Sequence, residues 1–399
     1  MVPKGWEVLH LKDVASKIQD GNYGADYPKA DEFVASGIPF LTSKVIGGIG
    51  TINPDKFDYI KEEKHQSLKK AQIVAGDILF TNRGANVGTI AIVPDYIATA
   101  NIGPQLTLVR CNDCILKEYL FQFLRGSFFQ KQIQQRDSGS AMNFFGIKDT
   151  ERFKVLVPSL SEQKRIAQIL STWDKAISVT EKLLANSQQQ KKALMQQLLT
   201  GKKRLLDENG VRFSGEWKQD VNLGSIINIS KGVQINKNTL SEDGQFPVIN
   251  GGIAPSGFTS EFNTDENTIT ISEGGNSCGY VAFQKKSFWC GGHCYAVRKT
   301  ALDLSFTFHL LKYNELKIMG LRVGSGLPNI QKKAIEAFTV NFPVTSVEQQ
   351  KIAAVLSAAD DEIATLEKKL ACLRDEKKAL MQQLLTGKRR VKVDEAVAE

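Results

Sequence analysis

The chain has 399 residues, 42% of them hydrophobic and 24% charged, which is typical of a globular protein of two or three domains. No apolar run reaches the roughly 18 residues of a membrane span, and the opening MVPKGWEVLH does not resemble a signal peptide, so we expect neither a membrane-spanning nor a secreted protein. Six irregularly spaced cysteines favour a reducing, cytoplasmic location. The net charge of +8 is compatible with nucleic acid or another acidic partner.

One stretch, KKALMQQLLTGK, occurs twice in the chain, at residues 191–202 and again at 377–388. The similarity extends upstream from each copy without a gap, at a constant offset of 186 positions, as far as Glu162 and Glu348. Repetition of this length indicates a duplicated chain. The long unlike segment between the copies excludes a solenoid of short repeats.

Each copy has the periodicity of a long helix. Apolar residues recur in alternating steps of four and three, which is the heptad seam of a coiled coil, and no proline interrupts either copy. Pro158 and Pro343 precede the copies, while Gly201 and Gly387 follow them where helix C-caps belong. The seam residues are Ile166, Leu170, Trp173, Ile177, Leu184, Leu194, Leu198, Ile352, Leu356, Ile363, Leu366, Leu370, Leu373, Leu380 and Leu384.

Because a lone helix cannot bury this stripe, we expect the two helices to pack on each other as an antiparallel coiled coil. Each helix would be about 60 Å long, whereas the domain that connects them would have a radius of gyration of about 14 Å. The end of the first helix and the start of the second therefore lie most easily beside the same domain. This predicts a dumbbell with approximate twofold symmetry. Two alternatives stay open. A fully extended 204–217 linker would allow the helices to run parallel, and two helices lying on separate cores would not pack on each other.

The regions outside the helices have the patterns of two similar mixed α/β domains. In the first, β-forming runs between Gly and Asn turns predict strands, and residues 119–135 predict a helix. The second repeats this plan, since TITISEGGNSCGYVAF (268–283) resembles DILFTNRGANVGTIAI (77–92), and GSGLPNI (324–330) resembles SGSAMNF (138–144). The strands predicted in the first domain are 38–41, 73–74, 78–81, 89–93, 106–110 and 153–157.

These patterns also predict the domain boundaries. We expect a first α/β domain at 1–157, a central helical region at 158–203, a second α/β domain at 204–342, a C-terminal helical region at 343–390 and a tail at 391–399. The joint, meaning the segment that links the end of a long helix to an α/β domain, repeats as well. GKKRLLDENGVRFSGEW (201–217) resembles the C-terminal GKRRVKVDEAVAE followed by the N-terminal MVPKGW. Joining the termini would recreate the central linker, as in a cyclic two-domain molecule.

Motifs for catalysis are absent from the sequence. It has no G-x-x-x-x-G-K-[ST] loop, no H-E-x-x-H, no dinucleotide fingerprint and no Asn-Pro-Pro or Asp-Pro-Pro tetrad of amino-methyltransferases. Residues 54–64 imitate a PD…ExK nuclease motif, but this polar stretch has no counterpart in the second half and is typical of a solvated surface. Cys111-x-x-Cys114 and CGGHC (290–294) have metal-like spacing, but they fall in different domains and a structural zinc site needs four ligands. The sequence therefore predicts neither a catalytic nor a metal site.

Polar loops suited to binding recur in both α/β domains. Arg, Asn and Gln can address base edges in pairs of hydrogen bonds, while Lys and backbone N–H groups hold phosphates. Turn-forming and surface roles are the alternative for any one of these residues. The candidate DNA-binding residues are Lys44, Arg83, Asn86, Ser138, Ser140, Asn143 and Lys148 in the first domain, and Lys231, Gln234, Lys237, Asn276, Arg298, Arg322, Ser325, Asn329, Lys332 and Lys333 in the second.

The chain resembles the specificity subunit of type I restriction–modification systems. The residues that carry the resemblance are SEQKRIAQIL…KKALMQQLLTGK (161–202), VEQQKIAAVL…KKALMQQLLTGK (347–388) and the GSGLPNI loop. The resemblance implies a non-catalytic reader of double-stranded DNA, with two target-recognition domains that each read one half of a split site. It also implies that the helices act as a ruler and as a docking surface for two modification subunits.

The same resemblance implies that this chain binds no cofactor itself. S-adenosylmethionine would be brought by the modification subunits, which methylate adenine, and ATP and Mg²⁺ by restriction subunits with a translocase motor. Two other classes of protein stay open. A stand-alone DNA nuclease or methyltransferase would need a carboxylate set or a tetrad, and a coiled-coil adaptor without a DNA role would not retain two similar basic domains.

Overall fold

The computed structural model describes residues 2–48, 50–137, 144–324, 326 and 328–393. It divides into two compact units. Unit 1 contains Met1–Glu181 and Lys369–Glu399, and unit 2 contains Lys182–Lys368. Each unit therefore holds one of the two predicted α/β regions together with part of each long helical segment. Every helix in the described part of the chain is too short or too polar to cross a membrane.

Unit 1 has a mixed α/β fold built on two main sheets. Its four-stranded sheet has the order β2-β10-β7-β8, its five-stranded sheet the order β3-β5-β4-β9-β6, and β1 pairs with β11. The strands are β1 Glu7–His10, β2 Ala15–Asp20, β3 Phe33–Val34, β4 Ile38–Leu41, β5 Asp58–Ile60, β6 Gln72–Ile73, β7 Ile78–Thr81, β8 Ile90–Ile92, β9 Ala100–Ile102, β10 Leu106–Cys111 and β11 Lys154–Val157. The shorter helices are α1 Glu62–Ser67, α2 Lys117–Arg125, α3 Ser127–Asp137 and α4 Ile147–Glu151.

Unit 2 repeats this plan. Its four-stranded sheet has the order β13-β19-β16-β17, a three-stranded sheet has the order β15-β14-β18, and β12 pairs with β20. The strands are β12 Trp217–Asn222, β13 Ile227–Lys231, β14 Phe246–Ile249, β15 Phe258–Thr259, β16 Thr268–Ser272, β17 Val281–Gln284, β18 Trp289–Cys290, β19 Cys294–Thr300 and β20 Thr339–Pro343. The shorter helices are α6 Leu304–Tyr313, α7 Glu315–Met319 and α8 Lys332–Ala337, and the two long helices are α5 Leu160–Leu198 and α9 Ser346–Leu384.

The strands predicted in the first domain are confirmed, each within one residue of its predicted ends. The single helix predicted at 119–135 is wrong, because the segment forms two helices, α2 and α3. The break is at Gly126, whose backbone is extended and whose N–H donates to the carbonyl of Phe123. A side chain on Gly126 would meet Leu385 at 3.0 Å, so glycine allows the C-terminal end of α9 to pack against this break.

The two long helices confirm the heptad prediction. Each is a single helix of 39 residues. Gly201 and Gly387 follow them with φ of +70° and +67°, the left-handed conformation in which glycine closes a helix, so the predicted C-caps are confirmed as well.

Within each unit the paired stretches of the two helices run antiparallel, as predicted. In unit 1 Lys377 Nζ lies 2.6 Å from Asp174 Oδ1, and Arg374 NH2 lies 2.7 Å from Glu181 Oε1. In unit 2 Lys191 forms the matching ion pair with Asp360. Every predicted seam residue is buried or half-buried. Those buried are Ile166, Leu170, Ile177, Leu198, Ile352, Leu356, Leu370 and Leu384; those half-buried are Trp173, Leu184, Leu194, Ile363, Leu366, Leu373 and Leu380.

A buried glutamine near the start of each long helix fixes that helix to its α/β region. Gln163 donates to the carbonyl of Pro158 (2.9 Å) and accepts from the N–H of Leu116 (2.8 Å). Gln349 donates to the carbonyl of Pro343 (2.8 Å) and accepts from the N–H of Asp303 (2.9 Å). Leu116 and Asp303 are the N-cap residues that directly precede α2 and α6. The amides therefore lock corresponding helices of the two units in the same way.

The repeated joint predicted from the sequence contains an ion pair in each unit. In unit 2, Arg204 binds the buried Glu348 through two hydrogen bonds (2.6 and 2.7 Å), donates to the carbonyl of Gly215 and lies over the ring of Trp217. A guanidinium that makes two parallel bonds to a carboxylate forms one of the stronger polar contacts in proteins.

Unit 1 builds the same joint from the two ends of the chain. There Arg390 binds Glu162 (2.7 and 2.9 Å), donates to the carbonyl of Lys4 and lies over the ring of Trp6. Lys4 stands two residues before Trp6, as Gly215 stands two residues before Trp217. The N-terminal segment is therefore fixed to the end of α9 in the way that the central linker is fixed to the end of α5.

His309 in α6 makes the stability of the chain depend on pH. Its side chain is buried beside Asp360, Lys191 and Asp303, and burial lowers its pKa to about 4. In the unfolded chain the pKa returns to about 6.5, so acid protonates the unfolded chain first. We expect the free energy of unfolding to fall as the pH drops from about 6.5 to about 4, by at most about 3 kcal/mol. Urea unfolding at both pH values measures this loss.

Two substitutions show whether His309 is the cause. His309→Gln places at this position the residue found at the corresponding position of α2, Gln122, and should remove most of the acid-dependent loss. His293→Gln, which changes an exposed histidine, should leave it in place. An equal loss in wild type and His309→Gln would contradict the assignment.

Candidate nucleic-acid interface

The candidate loops of each unit lie at one edge of its four-stranded sheet. In unit 1, β7 ends at Thr81 beside the start of β10, because Leu106 pairs with Thr81 in antiparallel register. In unit 2, β16 ends at Ser272 beside Cys294, the start of β19. The segments that leave β2 and β13 emerge at the same edge, since β10 and β19 also pair antiparallel with those strands. Three chain segments therefore meet at corresponding edges.

The loops after β7 and β16 have glycines four positions apart, as predicted. Gly84 and Gly88 have φ of +86° and +88°, and Gly275 and Gly279 have +79° and +89°. Other residues rarely adopt this conformation. The N–H of Gly88 donates to the carbonyl of Thr81, and that of Gly279 to the carbonyl of Ser272, which closes each loop. Asn86 and Asn276 are exposed at the loop tips.

The second predicted loop of each domain packs against the first. In unit 1, Phe144 forms a bridge with Arg83, whose guanidinium lies 4.3 Å from the centre of the Phe144 ring. In unit 2, Asn329 forms the corresponding bridge with Gly274, and the N–H of Gly275 donates to the carbonyl of Pro328 (3.0 Å). The structure thus brings together segments far apart in sequence. The candidates Ser138, Ser140, Asn143 and Ser325 lie outside the described residues.

At the same edge, the segment that follows β2 or β13 makes a close backbone contact with a neighbouring segment. A side chain on Gly21 would meet the carbonyl oxygen of Gly103 at 2.0 Å, and one on Gly232 would meet that of Cys290 at 2.3 Å. Only glycine fits such an approach. In unit 2 this contact places Gln234 beside Gly292, within the same group of loops.

The chemistry beneath the loops differs between the units. In unit 1 the buried side chain of Asn82 donates to Thr107 Oγ1 (2.9 Å), and Thr107 donates to Asp20 Oδ1 (2.6 Å). Arg83 Nε donates to Asn82 Oδ1 (3.2 Å), which orients the guanidinium at the edge. The network is uncharged apart from Asp20 and Arg83.

The corresponding positions of unit 2 carry Lys231, Glu273 and Tyr295. Lys231 Nζ donates to Glu273 Oε1 (2.5 Å), and the Tyr295 hydroxyl donates to the same oxygen (3.3 Å). Burial, reinforced by the Glu273 charge, raises the pKa of Tyr295 to about 12, so its hydroxyl remains a donor. The exposed His293 lies 3.4 Å from the other carboxylate oxygen. This group places an acid, a base and an imidazole where unit 1 has mainly amide and hydroxyl groups.

Sequence reasoning found only part of this edge. It selected Arg83, Asn86, Lys231, Gln234, Asn276 and Asn329, which the structure places in or beside the loops. It missed Asn82, Glu273 and His293. A usable signal existed for the first two, since each directly follows the strand that precedes the glycine loop.

The other candidates are exposed and several are held by other groups. Lys44 pairs with Asp58 at 2.6 Å, Arg298 Nε donates to Ser230 Oγ (2.7 Å), and Lys332 lies 3.5 Å from Glu336. Lys148 lies on α4, Lys237 begins a short 3-10 helix, Arg322 precedes the second loop and Lys333 lies on α8.

The nuclease-like stretch and the Cys111–Cys114 pair make their contacts outside these loops, whereas CGGHC (290–294) lies at the edge itself, where Cys294 begins β19 and His293 approaches Glu273. Lys64, the lysine of the nuclease-like stretch, pairs with Glu32 at 3.1 Å. Burial raises the pKa of Cys111 to about 12, and Cys114 Sγ lies 2.9 Å from Asn112 Oδ1. In the described residues no group of three or more His, Cys, Asp or Glu side chains is arranged to hold a metal ion.

Two units of one plan, each with polar loops at a corresponding sheet edge, define a duplicated binding protein. The sequence model of the type I restriction modification DNA specificity domain matches residues 3–186 and 215–373. The chain therefore belongs to the family of type I restriction–modification specificity subunits, which confirms the resemblance seen in the sequence.

Relatives and solved structures agree with this assignment. The chain is 29% identical over 98% of its length to a putative type I restriction enzyme specificity subunit of Methanocaldococcus jannaschii, of which it covers 95%. Over 39% of its length the chain is 36% identical to a putative type I specificity subunit of Mycoplasma pneumoniae, and this match covers 42% of that protein. A crystal structure of the S subunit from M. genitalium superposes with a TM-score of 0.67 at 18% identity, covering 95% of this chain and 96% of that one.

Proposed function

We propose that the chain is the non-catalytic DNA-reading subunit of a type I restriction–modification complex. Each unit reads one half of a bipartite double-stranded site with the loops at its sheet edge. The helices hold two modification subunits, which supply S-adenosylmethionine chemistry, and restriction subunits add the ATP- and Mg²⁺-dependent motor. This chain itself holds neither cofactor.

One observation carries the proposal: the two sheet edges share a backbone frame and differ in chemistry. The glycine turns, the bridge between loops and the close glycine contact recur in both units. The groups on that frame change from Asn82 and Thr107 to Glu273 and Tyr295. A protein that reads two different half-sites needs this combination, because the shared backbone fixes how each unit approaches the DNA and the side chains select the bases.

Base reading by unit 2 can be tested with a triple variant, Gln234→Ala, Asn276→Ala and Asn329→Ala. Each pair of hydrogen bonds to a base contributes about 1–3 kcal/mol of discrimination, so we expect preference for one half-site to fall by at least roughly tenfold. The other half-site should keep its preference, and the salt dependence of binding should stay the same because no cation is removed. Fluorescence anisotropy with half-site mutant duplexes, using the assembled complex, measures each effect.

Asn228→Ala is the matched control, because Asn228 is an exposed amide on β13, away from the loops. It should bind like wild type. A triple variant with unchanged preference at both half-sites would show that these loops do not read bases.

A further inference from the structure

Arg83, at the sheet edge of unit 1, carries a guanidinium that two neighbours hold in one orientation. The residue is half-buried and directly follows Asn82 at the end of β7. Its Nε donates to Asn82 Oδ1 (3.2 Å), and its guanidinium carbon lies 4.3 Å from the centre of the Phe144 ring. The amide fixes the inner side of the guanidinium, and the ring fixes its plane.

The buried network beneath the loops decides which atom of Asn82 faces Arg83. Asn82 is fully buried, and its Nδ2 donates to Thr107 Oγ1 (2.9 Å) and to Asp20 Oδ1 (3.3 Å). A carboxylate accepts hydrogen bonds and donates none, so the amide nitrogen must face Asp20. The amide oxygen is then left for Arg83, and groups from β2 and β10 set the direction of the guanidinium.

The outer end of this guanidinium is left for a ligand. Within the described part of the chain, NH1 and NH2 of Arg83 make no hydrogen bond or ion pair, and the only bond it donates from the side chain is that from Nε. Arg110, in the same sheet, differs because its Nε and NH2 both bind Asp77 at 2.8 Å. An arginine held by its inner side, with both outer nitrogens available, is arranged for recognition rather than for a structural ion pair.

The two outer nitrogens match one base better than the others. In the major groove only guanine presents two acceptors side by side, O6 and N7, and a guanidinium that donates to both is the commonest specific contact. Adenine presents one acceptor beside a donor, thymine one acceptor beside a methyl group, and cytosine a donor. A phosphate group also accepts two such bonds, so the test must distinguish a phosphate from a base.

We propose that Arg83 reads one guanine in the half-site of unit 1, with NH1 and NH2 donating to its O6 and N7. Asn82 and Phe144 are positioning residues for this contact. In unit 2 the corresponding position holds Gly274, which forms the same bridge to the second loop but has no side chain. The contact therefore belongs to one half-site. This inference rests on the function proposed above and names the base that Arg83 selects.

Replacing single atoms of the DNA tests this assignment. The probe is the duplex that the assembled wild-type complex selects from random DNA, with each guanine replaced in turn by 7-deazaguanine, which lacks N7 but still pairs with cytosine. By fluorescence anisotropy, one replacement in one half-site should weaken wild-type binding by at least roughly fivefold. Arg83→Met removes the guanidinium and should bind the unmodified and the replaced duplex equally well.

Arg152→Met is the matched control, because it removes the same charge from an exposed position of unit 1. The neighbouring carbonyl of Phe153 accepts from the N–H of Leu11, which lies before β2 and so at the opposite end of that strand from Asp20. This variant should keep the wild-type sensitivity to 7-deazaguanine. Arg83→Lys keeps the charge but lacks the planar pair of donors, so it should lose most of that sensitivity. Circular dichroism melting shows whether each variant folds.

The results separate this inference from the function on which it rests. If the wild-type complex selects no bipartite site, the proposed function fails. If it selects one but no guanine depends on Arg83, the function stands and the assignment of guanine is overturned. If Arg83→Met weakens binding to every duplex equally and keeps the sensitivity to 7-deazaguanine, Arg83 binds a phosphate, which likewise overturns the assignment.

Discussion

Replacing residues 1–157 with the corresponding region of a family member that has a different DNA target should change one half of the recognised site completely. The other half and the gap between them should stay the same. The physical reason is that the loops of unit 1 are positioned by their own sheet and by the buried network of Asp20, Asn82 and Thr107. Sequencing of methylated DNA from cells that express the hybrid with its modification subunits would map both halves.

The design of the hybrid must respect the contacts with the helices. The replacement should keep a tryptophan at position 6 for Arg390 and a backbone N–H at position 116 for Gln163. Exchange of residues 204–342 is the matched experiment and should change the opposite half. A hybrid in which both halves change together would show that the units do not read independently.

Replacing Arg204 with leucine should destabilise the chain by about 3 kcal/mol, because it leaves a buried carboxylate without its partner. Glu348 is 1% exposed and both of its oxygens bind the guanidinium. The substitution also removes the contact with the ring of Trp217 and the bond to Gly215. Urea unfolding at neutral pH measures the loss.

The chain supplies its own comparison for this experiment. Arg390 makes the equivalent ion pair in unit 1 but is 44% exposed, compared with 19% for Arg204, so Arg390→Leu should cost less. Arg374→Leu removes a more exposed pair with Glu181 and should lower the free energy of unfolding by about 0.5 kcal/mol or less. Equal losses for all three would show that burial of the ion pair does not determine the effect.

The helical part of the fold could be predicted from the sequence because its signals are local. A heptad pattern without proline, closed by Gly201 and Gly387, specifies helix length, and the offset of 186 specifies that it occurs twice. The break between α2 and α3 at Gly126 was not predicted, because the apolar pattern of α2 continues into α3. Only the fold brings Leu385, which is far away in sequence, against Gly126 at this break.

The candidate interface was only partly predictable, because part of it depends on contacts between residues far apart in sequence. The glycine loops were visible because a positive φ requires particular residues, and their polar tips followed. Glu273 was missed although it directly follows β16, because its partners Lys231 and Tyr295 come from other strands. His293 was missed because its significance depends on its approach to Glu273.

Selection from a pool of random double-stranded DNA, using the chain assembled with its modification subunits, tests the central claim most directly. We expect enrichment of a site in two specific parts separated by a gap of fixed length and unspecified sequence. The chain without modification subunits should transfer no methyl group from labelled S-adenosylmethionine to that site. Enrichment of a single continuous motif, or of none, would contradict the reading of one half-site by each unit.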